Sequence, residues 1–175
     1  MAIVQRGDTS KVGILYERHK EGLFNYFFRC TGDRMKSEDL VQNVFIRVIN
    51  YRNQFKGKGE FSYWLYFLAR NTWIDDYRKK DALKHSKEIE HIGLDQMSNE
   101  DINTEDNLKE YKSLMQAALQ KISPEKRDAI VLSRYNGLTY KTIAEMSDCS
   151  ENTIKARVMR GIKEIQLEIA KTNGV

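Results

Sequence analysis

Residues that interrupt helices are scarce in this sequence, which has one proline, Pro124, and ten glycines among 175 residues. Proline removes a backbone donor and glycine weakens regular elements, so long stretches without them can continue as helix. Valine and isoleucine are scattered rather than gathered into the alternating runs that predict strands. We therefore expect an all-α protein.

An acidic, polar stretch at 81–107 indicates how this helical chain is divided. It has eight acidic and two basic residues, and its apolar residues show no sustained period, as is typical of a flexible linker. Helical patterns flank it at 10–80 and 108–172, and each is long enough for a modest core. The sequence thus predicts two small helical domains joined by an acidic linker.

Composition narrows the class of protein. With 41% hydrophobic and 31% charged residues, a wholly disordered or membrane-embedded chain is disfavoured. The N-terminus has no apolar signal core, and no run of about eighteen apolar residues occurs, so we expect a cytoplasmic protein. Cys30 and Cys149 are predicted to be free thiols. The three histidines form no cluster with acidic residues; they are His19, His85 and His91. We therefore expect no metal site, no cofactor and no catalytic activity.

The second helix of the first domain has the clearest pattern. Ser37 is predicted to cap it, and its apolar side repeats at helical spacing through Leu40, Val41, Val44, Phe45, Val48 and Ile49. The opposite side is typical either of a solvated surface or of a polar protein contact, and carries Asp39, Gln42, Asn43, Ile46 and Asn50.

A basic block follows at 47–80, where eight basic residues face three acidic ones. Such a block is a candidate nucleic-acid-binding surface, because cationic side chains displace counterions from phosphates. An ordinary solvated helix surface is an equally good interpretation of the block. Its loop at 50–60 contains Tyr51, Arg52, Phe55 and Lys56. Aromatic rings beside cations fit a single-stranded nucleic-acid site, and packing of Phe55 into the core is the equal alternative.

The third helix, predicted at 61–80, has two apolar sides. The core side contains Phe61, Trp64, Leu65, Leu68 and Ala69, and the opposite stripe contains Tyr63, Tyr66, Arg70, Trp73 and Tyr77. Such a stripe can pack against another helix or insert into melted DNA, and the pattern slightly favours packing.

The second domain ends in a predicted helix-turn-helix. One helix starts at Ser123-Pro124 and stops at Asn136-Gly137, and Thr139 and Ser150 then cap a short and a long helix. In the last helix Ile154, Val158, Ile162 and Ile165 form the buried stripe. The pattern favours a DNA-binding unit over a helical hairpin that does not bind DNA. The surface available to DNA carries Asn152, Thr153, Lys155, Ala156, Arg157, Met159, Arg160 and Lys163.

Two groups of motifs resemble one family. The segments SEDLVQNVF at 37–45, WLY at 64–66 and LARN at 68–71 are similar to domain 2 of bacterial RNA polymerase sigma factors. The segments LTY at 138–140, IAE at 143–145 and TIKARV at 153–158 look like domain 4 of the same family. The direct linker between them resembles that of the extracytoplasmic-function type, also called group 4.

This resemblance implies a non-catalytic subunit that directs RNA polymerase to promoters, with the clamp and flap of core polymerase, promoter DNA and an anti-sigma factor as partners and no small-molecule substrate. Clamp binding would fall to Asp39, Gln42, Asn43, Ile46 and Asn50. Contacts to the −10 element would fall to Tyr51, Arg52, Phe55, Lys56, Lys58, Arg70, Asn71, Arg78, Lys79 and Lys80. Contacts to the −35 element would fall to Thr139, Tyr140, Asn152, Thr153, Lys155, Ala156, Arg157, Arg160 and Lys163.

Two departures from the family pattern stand out. Asp148 occupies the turn where the family usually has glycine, and Gly161 and Ile162 follow Arg160 where a second arginine is common.

Two other functions remain open from the residues alone: a helix-turn-helix regulator that acts without polymerase, and a helical interaction module that does not bind DNA.

Overall fold

The computed structural model describes residues 1–5, 9–57, 61–86 and 104–172, and every regular element in these ranges is helical. The expected all-α, two-domain class is confirmed. None of the helices described in these ranges combines the length and apolar character needed to cross a membrane. In chain order the helices are α1 (Ala2–Gln5), α2 (Val12–Thr31), α3 (Arg34–Asn50), α4 (Phe61–Ser86), α5 (Thr104–Lys121), α6 (Pro124–Ile130), α7 (Tyr140–Ser147) and α8 (Glu151–Thr172).

The connection between α2 and α3 corrects one prediction. Helix α2 ends at Gly32, whose φ of 72° lies in the left-handed region that glycine adopts without strain. Asp33 then has extended backbone, and its carboxylate accepts a hydrogen bond from the Lys36 backbone N–H at 2.9 Å. The predicted cap, Ser37, is wrong: it lies buried inside α3, because the aspartate four residues earlier already caps a free donor of the helix start.

The first domain is built from α2, α3 and α4. The apolar side of α3 is buried as its spacing predicts, except that Ile49 is half-buried. Phe45 packs edge-on against Tyr16 of α2, with ring centroids 5.0 Å apart. Leu65, Leu68 and Ala69 of α4 close the core. Helix α4 continues beyond 80 to Ser86 and α5 begins at Thr104, while 87–103 lie outside the described residues, so the domain boundaries stay a prediction.

The second domain comprises α5 to α8. Pro124 occupies the first position of α6, as predicted, and a π-helical turn at Val131–Tyr135 continues it. The segment ends at Gly137, with a φ of 69°. Gly161 lets α8 approach α6 closely, because a Cβ atom there would lie 2.6 Å from Cδ1 of Ile130. The two domains touch, with α2 against α5, α6 and the π-helical turn.

Candidate nucleic-acid interface

Helices α7 and α8 form the predicted helix-turn-helix. The Thr139 hydroxyl accepts a hydrogen bond from the Thr142 backbone N–H at 3.1 Å, and that of Ser150 accepts from the Thr153 N–H at 3.1 Å. Both caps are therefore confirmed. Asp148 in the turn has a φ of 49°, in the left-handed region that glycine adopts most easily. These local bonds fix where each helix begins.

The exposed side of α8 carries most of the residues predicted for −35 DNA. Ile154, Val158 and Ile165 are buried, whereas Asn152, Lys155, Arg160 and Lys163 are exposed. Thr153, Ala156 and Arg157 are half-buried on this helix, and at the start of α7 Thr139 is exposed and Tyr140 half-buried. A row of cations beside small and polar side chains can reach both phosphates and base edges.

Lys141 adds an exposed cation in the first turn of α7. The sequence alone does not identify Lys141 as a DNA contact, because the phase of so short a helix does not show which side faces solvent. The first helix of a helix-turn-helix crosses the DNA backbone, so a lysine at this position suits a phosphate contact.

The loop after α3 holds its aromatic ring against α4 rather than in solvent. Phe55 is half-buried, with ring centroids 5.8 Å from Phe61 and 5.4 Å from Trp64. The side-chain amide of Gln5, near the N-terminus, donates to the Arg52 carbonyl at 3.0 Å and to the Phe55 carbonyl. The alternative that Phe55 packs on the core thus describes the unbound chain.

The cations and other polar residues of this region differ in exposure. Lys56 and Tyr51 are exposed, whereas half-buried Arg52 donates to the Ile49 carbonyl at 2.8 Å. Lys58 lies outside the described residues. Along α4, Arg78, Lys79 and Lys80 are exposed in succession and Asn71 is half-buried. These three α4 cations are therefore free to meet a phosphate backbone.

The aromatic stripe of α4 is not a single surface. Trp73 is only 3% exposed, so it belongs to the core, whereas Tyr63 and Tyr77 have about two fifths of their surface in solvent, at 42% and 41%. Tyr66 and Arg70 face the second domain, where Tyr66 accepts a hydrogen bond from Asn136 and Arg70 pairs with Asp128. The hypothesis that the stripe packs against other helices is thus confirmed for its central members.

The polar side of α3 is free. Asp39, Gln42, Asn43, Ile46 and Asn50 are all exposed, and Ile46 is an apolar side chain with 55% of its surface in solvent. An exposed isoleucine among polar residues fits the centre of a protein contact.

The strongest pKa shifts lie at the interface of the domains rather than in an exposed cleft. Burial raises the pKa of Tyr26 and of the Cys30 thiol well above their ordinary values. Burial also raises the pKa of the Asp128 carboxyl, and the nearby Arg70 charge opposes that rise. Both cysteines are free thiols, as predicted. Within the described ranges no three His, Cys, Asp or Glu side chains come together as a potential metal site.

Two family models match this chain at the two domains just described. Sigma-70 region 2 matches residues 15–83, and Sigma-70, region 4 matches residues 112–165. The chain belongs to the sigma-70 family. Members of this family direct promoter-specific transcription initiation. The similarity of this chain to extracytoplasmic-function (ECF) sigma factors identifies it as one of that type.

Individual relatives of this sigma factor agree with that assignment. It is 28% identical to the ECF RNA polymerase sigma factor SigE of Mycolicibacterium smegmatis, over 90% of this chain and 61% of SigE. It is 26% identical to the ECF RNA polymerase sigma factor SigX of Bacillus subtilis, over 87% of this chain and 80% of SigX.

A solved structure supports the fold of this sigma factor. The sigma factor RpoE from Bartonella quintana, in complex with the anti-sigma factor NepR, superposes with a TM-score of 0.71 and 22% identity. The match covers 90% of this chain and 96% of that one.

Proposed function

We propose that this sigma factor binds core RNA polymerase, recognises the −35 duplex with α8 and captures unpaired −10 bases with the loop at 51–57. The observation that carries the proposal is the exposed cationic side of α8, set opposite a buried stripe within a capped helix-turn-helix. In this role the protein is a cytoplasmic binding subunit and not an enzyme, with 10–80 serving the −10 element, 81–107 as linker and 108–172 serving the −35 element.

Binding energy would drive DNA melting. Unstacking a base step costs a few kcal/mol, and stacking of a base on an aromatic ring returns about 1–3 kcal/mol. Phe55 can supply that ring by leaving its contacts with Phe61 and Trp64. Phosphate contacts from exposed Lys56, Arg78, Lys79 and Lys80 would add to the affinity.

The exposed side of α3 is proposed to bind the polymerase clamp, with Ile46 at its centre. Ile46→Asp should weaken association with core polymerase at least tenfold, because a charge would be buried in the contact. Helix α3 should remain folded, since more than half of the Ile46 surface already lies in solvent.

An anti-sigma factor is a proposed second protein partner. The related fold of RpoE is solved in complex with the anti-sigma factor NepR, and an exposed face on each domain of this chain offers room for such a regulator.

The decisive experiment is transcription in vitro from a promoter library with core polymerase, with and without the purified protein. We expect transcript starts that appear only with the protein and share paired upstream elements. Lys155→Ala with Arg160→Ala should abolish them, while Lys171→Ala, which removes a cation from the last turn of the same helix, should not.

Two other outcomes would overturn the proposal. If no new starts appear and the protein binds duplex promoter DNA alone, it is a regulator that acts without polymerase. If no DNA dependence is found in either assay, the interaction-module alternative is correct.

A further inference from the structure

A short helix near the N-terminus contacts the loop that follows α3, although the two are far apart in sequence. Helix α1 (Ala2–Gln5) packs against the helical turn Arg52–Gln54 of this loop. Val4 anchors α1, because its side chain is 1% exposed and belongs to the hydrophobic core. Its neighbour Gln5 is half-buried. A buried anchor beside a polar side chain restricts where that side chain can reach.

The side-chain amide of Gln5 joins the two ends of the turn. Its Nε2 atom donates to the Arg52 carbonyl at 3.0 Å and to the Phe55 carbonyl. An amide nitrogen carries two hydrogens, so one side chain can hold both carbonyls at once. Within the turn, the Gln54 backbone N–H donates to the Tyr51 carbonyl at 2.8 Å. Gln5 therefore adds a restraint from a distant part of the chain to a locally bonded turn.

The bonds from Gln5 reach backbone atoms of the loop and leave its exposed side chains free. Tyr51, Asn53, Gln54 and Lys56 are exposed. The ring of Phe55 can rotate about its side-chain bonds while the carbonyl of the same residue stays in place. The loop can thus meet an unpaired base with its side chains while its backbone keeps one conformation.

We propose that Gln5 is a positioning residue for base capture, because its amide holds the loop at 51–57 in the conformation that receives an unpaired −10 base. This inference rests on the proposed function, which assigns base capture to that loop. A loop that is already ordered loses less conformational entropy on binding.

A fixed backbone also favours one base over the others. It holds the hydrogen-bonding groups of the loop in a single arrangement, so an incorrect base leaves some of them unpaired. A loop free to move could adjust to several bases, as flexible binding surfaces do. Loss of the Gln5 amide should therefore lower base discrimination, and this effect should be confined to the −10 element.

Hydrogen–deuterium exchange of the full chain, without polymerase, tests the restraint itself. Gln5→Met keeps the length of the side chain but has no donor. We expect the loop amides at 51–57 to exchange about three- to tenfold faster in this variant, because hydrogen bonds of ordinary net strength are lost. Gln5→Glu, whose carboxylate would face two carbonyl oxygens, should have at least as large an effect. Loop exchange equal to that of the wild type in both variants would overturn the restraint.

Gln116→Met is the matched control. The side-chain amide of Gln116 also donates to a backbone carbonyl, that of Phe28 at 2.7 Å, so the same chemical change is made at the end of α2 rather than at the loop. Its loop amides should exchange as in the wild type, and circular dichroism should show that every variant is folded. Equally fast loop exchange in Gln116→Met would indicate a general loss of stability and overturn the assignment to Gln5.

Competition among promoter variants, with core polymerase, tests whether the restraint serves base capture. For templates that differ at single base pairs, we expect Gln5→Met to lower discrimination at one −10 position about three- to tenfold and to leave discrimination at −35 positions unchanged. An equal loss at both elements, which a merely structural role predicts, or no loss at all would overturn the positioning role. If the wild type gives no new transcript starts, the proposed function fails, and the exchange measurement still decides whether Gln5 restrains the loop.

Discussion

Arg70 of α4 and Asp128 of α6 form an ion pair at 2.7 Å across the interface of the two domains. The arginine belongs to the basic block at 47–80, whose charge is compatible with DNA binding, yet its partner in the unbound chain is a carboxylate of the other domain. Position in a basic block therefore identifies a candidate DNA contact but not its availability. Exposure, which the fold determines, separates Arg70 from the freely exposed Arg78.

Removal of the Phe55 ring should impair promoter melting more than it impairs folding. Phe55→Ala is expected to reduce the amount of open complex roughly tenfold to a hundredfold, because about 1–3 kcal/mol of base stacking is lost. Fluorescence of 2-aminopurine in the −10 element, with the protein bound to core polymerase, measures this.

Phe55→Tyr is the matched control, since it keeps an aromatic ring and should keep most of the melting activity. Because Phe55 is half-buried against Trp64, the thermal stability of both variants must also be measured. A loss of thermal stability in Phe55→Ala with normal open complexes would assign the residue to packing alone.

Lys155 should contribute to base recognition as well as affinity. It is exposed near the N-terminal end of α8, the end that approaches base edges in helix-turn-helix complexes. Lys155→Ala is expected to cost about 1–3 kcal/mol of binding and to relax the preference at one −35 position. Competition among promoter variants that differ at single base pairs measures both effects.

A uniform loss over all promoter variants would contradict base recognition and assign Lys155 to a phosphate. Lys171→Ala serves as the control in the same competition, because Lys171 lies in the last turn of α8 and pairs with Glu168 at 2.7 Å.

Local features of the fold could be predicted because their partners are near in sequence. The Thr139 and Ser150 caps each bond a residue three positions ahead. The predicted cap of α3 was wrong: Asp33 caps this helix, and Ser37 is buried within it. Short polar side chains compete for the same free backbone donors, and spacing alone did not reveal which one lies outside the helix.

The contacts between the domains could not be predicted, because they join residues far apart along the chain. Tyr26 and Asp128 are 102 positions apart, and Arg70 and Asp128 are 58 apart. Helical periodicity reports which side of a helix is apolar but not which helix covers it. Trp73 shows the same limit, since its phase assigned it to the outer stripe while tertiary packing leaves it 3% exposed.

The turn between α7 and α8 should gain stability from glycine. Asp148 has a φ of 49°, a conformation that costs most residues with a Cβ about 1–2 kcal/mol and costs glycine little. Asp148→Gly is therefore expected to raise the free energy of unfolding by about 1 kcal/mol, measured by urea denaturation of the full chain. Asp148→Ala is the control and should lower it; equal stability in the two variants would show that the backbone conformation carries no cost.

Stability should fall as the pH drops below neutral, with His19 as one cause. Partial burial lowers the pKa of His19 below its ordinary value of 6.5, and the neighbouring Arg18 charge lowers it further. The unfolded chain therefore binds a proton at a higher pH than the folded chain does, so stability declines as the pH falls from just above 6.5 toward the lowered pKa. His19 also packs edge-on against Phe61, with ring centroids 5.5 Å apart, which links this loss to the first domain.

His19→Phe tests that assignment, because phenylalanine keeps an aromatic ring on Phe61 and cannot be protonated. Thermal melts of both chains between about pH 5.5 and 7.5 should show a decline in melting temperature for the wild type that is shallower for His19→Phe. Protonation of carboxylates lies mostly below this range, so they affect both chains alike. Parallel curves would show that His19 has the same pKa in the folded and unfolded chain.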